Sequence, residues 1–255
     1  MAENLYPSEV ISLPSKGWYY PEGHPLATGT IDLYYMTAKH EDILTSKTLI
    51  QRGVVIDKLL DALIVNKDVK YDDLLIGDKN GLMIAARIMG YGKDYDVTVT
   101  CPMCNESSTH TINLENITDK ELVFDPKNKN KNEFDLQLPF SKRVITFRLL
   151  THKDEKDIQN ELDAMRKVIK SEVSSEVTTR MKKSIVAING NRDTKVIREF
   201  VDAMPARDAV AFREYARTIN PDIDLTADFV CPTCAKEFRL EVPIDINFFW
   251  PNASI

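Results

Sequence analysis

Cys101-Pro102-Met103-Cys104 and Cys231-Pro232-Thr233-Cys234 decide how this chain is read. They hold all four of its cysteines. Two thiolates spaced this way on a tight turn supply half of a tetrahedral Zn²⁺ site, and two such turns complete a Cys₄ site. Four thiolates fill the coordination sphere, so such a site is structural and leaves no position for water. The quartets lie too far apart in number for a compact local finger. One metal shared between them would clip the first half of the chain to the second.

Two other chemistries use the same spacing. The thioredoxin-type redox pair needs a helix N-terminus to lower a thiol pKa. Here each quartet instead follows a β-forming run, Asp96-Val97-Thr98-Val99-Thr100 or Asp228-Phe229-Val230, and precedes an alternating stretch, Thr109 to Leu114 or Glu237 to Val242. That order predicts strand, knuckle, strand, as in a zinc ribbon. Disulfides belong to exported chains, and the opening MAENLYPSEV has neither a charged n-region nor an apolar h-region. A reducing cytoplasm is the expected setting. The metal ligands are therefore expected to be Cys101, Cys104, Cys231 and Cys234, with Zn²⁺ in a structural role.

Working outward, a shift of 130 positions aligns more than the cysteines. It carries Asp78 onto Asp208, Ala86-Arg87 onto Ala216-Arg217 and Asp94 onto Asp224. Further upstream the offset falls to about 115, where Tyr35 to Ile43 resembles Leu149 to Ile158. The drift implies a longer helical segment in the second copy, around residues 160–178. The fold expected is α+β and mostly helical: an internal duplication of strand–helices–zinc-knuckle units, the two knuckles forming one zinc-ribbon-like site.

Each unit opens with a strand, Thr30 to Tyr35 or Val144 to Leu150. Thr37 and Thr151 then stand at helix N-cap positions, with acidic residues in the turn that follows. Val55, Leu59, Leu60, Leu63 and Ile64 have the spacing of one helical face. A second helix starts near Gly77-Asp78-Lys79-Asn80, buries Leu82, Met83, Ala86, Ile88 and Met89, and ends at Gly90 or Gly92. In the second copy a helix spans Asp193 to Met204, and Pro205 starts another that Asn220-Pro221 stops.

Three segments fall outside the repeat. Residues 1–29 are broken by Pro and Gly and predict an extended N-terminal arm. Residues 125–133, a run of Asp, Lys and Asn, predict a mobile linker. Residues 246–255 form an aromatic tail. The domain plan is thus arm 1–29, repeat 1 at 30–124, linker 125–133, repeat 2 at 134–245 and tail 246–255. Trp18, Tyr19 and Tyr20 in the arm and Phe248, Phe249 and Trp250 in the tail are the candidate partner-binding residues, because large rings dominate interface energetics. For the tail, packing onto its own chain is a near-equal alternative.

The chain of 255 residues carries a net charge of −6, which argues against nucleic-acid binding by electrostatics. Arg180, Lys182 and Lys183 form a local basic cluster that suits a solvated helix face. No apolar run approaches the roughly 20 residues needed to span a bilayer. No catalytic constellation is present. His24, His40, His110 and His152 are scattered, and the zincin, nucleophile-elbow, Walker and dinucleotide motifs are absent.

Several stretches together resemble the baseplate hub and hub-assembly proteins of T4-like tailed phages. They are Leu13-Pro14-Ser15-Lys16-Gly17, Tyr35-Met36-Thr37-Ala38 with Glu41-Asp42-Ile43-Leu44, Asp72 to Asn80, Ala85-Ala86-Arg87, Gly90-Tyr91-Gly92, the first CPxC and the Phe248-Phe249-Trp250-Pro251 ending. The resemblance covers most of the first copy and, more loosely, the rest. It implies a non-enzymatic role in virion assembly, as a chaperone or a retained subunit of the baseplate hub. The partners would be hub or tail proteins or a second copy of the chain, in the host cytoplasm during assembly and in the tail baseplate afterwards. The zinc assignment comes from the cysteines and not from the resemblance. A zinc-ribbon adaptor on a host or phage nucleic-acid machine is the alternative, and a zinc enzyme is disfavoured by the closed Cys₄ set.

Overall fold

The computed structural model describes residues 7–168, 175–244 and 248–250. The first half opens with an antiparallel hairpin, β1 (Ser8–Ser12) on β2 (Thr30–Tyr34), in register from Ser8↔Tyr34 to Ser12↔Thr30. Helices α1 (Ala38–Leu44), α2 (Lys47–Gln51), α3 (Val55–Leu63) and α4 (Ile76–Tyr91) follow, then the ribbon β3 (Asp94–Thr100) and β4 (Ser107–Asn113). The second half begins after β5 (Thr118–Asp119). It contains β6 (Phe134–Gln137), β7 (Val144–Phe147), α5 (His152–Val168), α6 (Glu176–Ser184), β8 (Ile185–Ile188), α7 (Thr194–Asp202) and α8 (Ala206–Ile219). It closes with β9 (Ile223–Asp224), β10 (Thr226–Val230) and β11 (Glu237–Glu241).

The described residues thus hold eight α-helices and eleven strands in five small antiparallel sheets, and the expectation of a mostly helical fold is corrected. The reason is local. Most of the strands are five residues or shorter, and β1 lies where the sequence reads as an extended arm. Ile185–Ile188 joins β7 to complete the three-stranded sheet β6-β7-β8, and β5 reaches across the molecule to β9. Runs this short carry too few residues for an alternating pattern to declare itself.

The helices follow the apolar spacing. α3 buries Val55, Leu59, Leu60 and Leu63. α4 ends where Gly92 takes a left-handed φ of 84°. Asp193 caps α7 by accepting from the Lys195 N–H. At α5 the Asp154 carboxylate accepts from the Thr151 N–H and hydroxyl at 3.0 Å each, and from the Arg148 guanidinium at 2.6 and 2.7 Å. The predicted helical stretch 160–178 is two helices, α5 and α6, and residues 169–174 lie outside the described residues.

The segments read as arm and linker make contacts with the rest of the chain. Residues 8–12 pair as a strand, and the loop 13–29 folds under it with Leu13 and Leu26 fully buried. Gly17 and Gly29 make that crossing possible. A Cβ on Gly17 would stand 2.5 Å from Ala27 O, and one on Gly29 2.6 Å from Lys16 O. Residues 1–6 of the arm lie outside the described residues. The linker is tied down as well: Asn130 N donates to Trp18 O, Asn132 bonds both backbone groups of Leu149, and Glu133 pairs with Arg192 at 2.8 Å.

The halves interlock. Ile76 N donates to Leu150 O and His152 N to Leu74 O, so the start of α4 pairs with the start of α5. Gly77 lies so close to residue 221 that a Cβ would fall 1.8 Å from Pro221 O. A buried hydrophobic cluster runs from Leu13 to Phe249 across both halves.

Candidate metal centre

The first knuckle grows out of β3. Its Tyr95, Val97 and Val99 are buried, while Asp94, Asp96, Thr98 and Thr100 face outward. Pairing with β4 stops at Thr100↔Ser107, and residues 101–106 make the turn. Cys101 N donates to Glu106 O, and Asn105 N to Cys101 O. In the second knuckle pairing stops at Val230↔Glu237, with Cys231 N donating to Lys236 O and Ala235 N to Cys231 O. Each turn closes through one residue in the left-handed region, Asn105 at φ 62° and Ala235 at φ 55°.

The two knuckles meet. Cys101 Sγ lies 3.8 Å from Cys234 Sγ, and Cys104 Sγ lies 3.5 Å from Cys231 Sγ. All four sulfurs fall within 4.8 Å of one another. A tetrahedron with Zn–S bonds of about 2.3 Å has edges of roughly 3.8 Å, so the cluster has the size of a Cys₄ site. A disulfide would need about 2.05 Å, and all four cysteines are free thiols. Each knuckle gives one buried and one half-buried sulfur. The ribbons also meet through His110, whose ring packs edge-on against Phe229 at 5.2 Å. Its Nε2 faces Ser108 Oγ at 2.8 Å, away from a ligand role.

The thiols influence one another strongly. Backbone N–H groups of Cys234 and Thr233, with help from the neighbouring thiols, bring Cys231 down to about 6. At Cys104 the Glu106 backbone acts downward, but burial and hydrogen bonds to the other three sulfurs prevail and push it up to about 12. Four sulfurs this close cannot all be anionic without a cation between them. The cluster is thus suited to hold a thiophilic divalent ion and to release protons when it does so.

The six candidate partner-binding rings lie elsewhere. Tyr19, Tyr20, Phe248 and Phe249 are buried in the chain's own core, and Trp18 and Trp250 are half-buried. Tyr20 donates to Asp78 Oδ2 at 2.6 Å and accepts from Leu75 N. Tyr19 packs edge-on against Phe134, and Phe248 against Tyr95. Trp18 donates to Asp125 O and Trp250 to Leu44 O. The prolines and glycines of the loop turn its rings inward, and the polar tips of Tyr20 and both tryptophans find partners there. The four buried rings thus pack on their own chain, which for Phe248 and Phe249 is the alternative reading of the tail. In the tail, residues 245–247 and 251–255 lie outside the described residues.

Two residues aligned by the sequence without a role, Asp78 and Asp208, are fully buried. Asp78 accepts from Ser15 N at 2.8 Å and Ser15 Oγ at 2.7 Å. Asp208 accepts from Phe140 N at 2.7 Å and Ser141 N at 2.9 Å. Both donor turns follow a Leu-Pro pair, at 13–14 and 138–139, and both contain a lysine with positive φ, Lys16 and Lys142. That shared Leu-Pro…Ser-Lys string was the signal in the sequence that could have revealed the contact. Burial pushes Asp78 above the ordinary carboxylate range, against the bonds from Tyr20 and Ser15. At Asp208 burial acts the same way, but the amides of Phe140 and Ser141 outweigh it and hold the group below that range.

The profile of the T4 bacteriophage base plate protein family matches residues 12–250. The chain belongs to that family. The match runs from the end of β1 through both knuckles to Trp250, and supports a structural role in the phage tail baseplate with other baseplate proteins as partners. No curated protein and no solved structure matches the chain. Among the described residues no helix is long and apolar enough to cross a membrane.

Proposed function

We propose that this baseplate protein acts without catalysis in assembling the baseplate hub, as a chaperone or a hub subunit, with a body clipped by one structural Zn²⁺. The observation that supports this reading is the convergence of Cys101, Cys104, Cys231 and Cys234, each pair ending a ribbon from a different half. A metal there fixes the ribbons relative to each other and adds binding free energy to folding. Its sphere is filled by protein, so it supplies no open position for chemistry. A body held this way presents a fixed surface to partners, which is what an assembly contact needs.

Two measurements test this. Metal analysis of the purified chain is expected to give one zinc per chain, and two zincs or none would reject the shared site. Affinity purification from infected cells, beside mass spectrometry of finished particles, is expected to recover hub proteins with the chain. Presence in particles identifies a subunit, presence only in intermediates a chaperone, and recovery of polymerase components in place of hub proteins supports the adaptor alternative.

A further inference from the structure

A groove of about 580 Å³ lies between α6, α8 and the segment joining β7 to α5, with Ile76 at the start of α4 also lining it. Its apolar lining includes Leu149, Met181, Phe212 and Val177, the last 46% exposed. Four arginines, Arg148, Arg180, Arg213 and Arg217, stand along it, and among the described residues no carboxylate lines it. Two are already neutralised: Arg148 by Asp154 and Arg180 by Glu155 and Glu176. The other two are not. Arg213 makes one bond, from Nε to Ala209 O in its own helix, and Arg217 has no polar partner among the described residues. Both are exposed and sit one turn apart on α8.

In a chain of net charge −6 this groove therefore carries the opposite sign. Apolar lining with unpaired cations at its rim matches a segment that offers apolar side chains and carboxylates together. We propose that the groove binds an acidic, apolar peptide segment of another baseplate protein, with Arg213 and Arg217 pairing its carboxylates and the exposed Val177, beside the half-buried Ile76 and Ala216, taking its apolar side chains. The proposal rests on the baseplate reading above and names the surface that serves it. Arginine suits this role because its planar fork pairs a carboxylate through two hydrogen bonds.

The test uses the full-length, zinc-loaded chain and an array of overlapping peptides that tile the other baseplate proteins of the same phage. The tightest peptide is then titrated by fluorescence anisotropy. Bound peptides are expected to combine Asp or Glu with apolar residues. The R213E/R217E variant is expected to lose roughly tenfold or more in affinity at an unchanged melting temperature. A control of equal charge change away from the groove, K39E/K195E, is expected to bind as the parent does. Equal binding by R213E/R217E, preference for basic peptides, or no peptide bound overturns the assignment. So does capture of a dT oligonucleotide in place of peptide, or charge reversal that abolishes self-association, since either names a different occupant. Infection with the R213E/R217E chain separates this failure from that of the wider reading. Variant chain entering hub complexes normally rejects the groove alone, whereas parent chain absent from those complexes rejects the hub role.

Discussion

Asp208 and Ala235 show how single residues fix the local path of this chain. Asp208 is a fully buried carboxylate that accepts two backbone N–H groups of the 138–142 turn. Its folded pKa lies below the ordinary value because those amides outweigh burial. A depressed carboxylate contributes stability that is present above the unfolded pKa and lost as pH falls through the folded one. Asp208→Asn is therefore expected to cost about 1–3 kcal/mol at neutral pH, since an amide NH₂ then faces a buried donor. The gap between variant and parent should narrow below about pH 4, checked by urea unfolding at pH 7 and pH 3. A constant gap would show that the charge of Asp208 contributes nothing. Ala235 sits at φ 55° where the other knuckle has Asn105 at 62°. Asparagine tolerates this region better than alanine, so Ala235→Asn is expected to stabilise the chain by up to about 1 kcal/mol, measured by thermal unfolding. A lower melting temperature would contradict that account.

At the scale of elements, the ribbons and the tail depend on contacts outside themselves. A two-stranded ribbon alone is marginal in water. β3–β4 and β10–β11 gain support from the sulfur cluster, from His110 on Phe229, and from the Tyr95 hydroxyl donating to Pro243 O. The tail adds Phe248, 1% exposed, against Tyr95, Phe249 and the Arg87 guanidinium. Phe248→Ala is expected to destabilise the isolated protein by about 3–5 kcal/mol, as cavity formation at a buried aromatic does. Denaturant unfolding checks this. A loss under about 1 kcal/mol would mean the site collapses or that the ring is a surface anchor after all.

On the scale of the whole molecule, a metal in the four-cysteine cluster would clip the halves together. Each knuckle supplies two ligands, so removal of one thiol leaves a three-ligand site and weakens both ribbons at once. Cys231→Ser is expected to raise hydrogen exchange in β3–β4 as well as in β10–β11, and a zinc chelator is expected to do the same to the parent. Loosening confined to β10–β11 would show that the halves hold separate sites. The body should persist in part, because the start of α4 pairs with Leu150 and Thr151 without the metal.

Short-range spacing in the sequence set out the two cysteine pairs, the longer helices and the strands flanking each knuckle. These rest on spacings of a few residues: two between cysteines, three or four along a helix face, two along a ribbon. Its likeness to baseplate proteins was also legible, in strings such as Leu13-Pro14-Ser15-Lys16-Gly17 and Asp72 to Asn80. Tertiary structure alone decided the rest. It brought Cys101 and Cys104 to Cys231 and Cys234, paired β5 with β9, and placed β8 beside β7. It turned Tyr19, Tyr20, Phe248 and Phe249 inward and left Arg213 and Arg217 beside an apolar groove. These outcomes depend on which distant surface each segment meets. Local propensity says that a ring must be buried, but only the packed chain supplies the place.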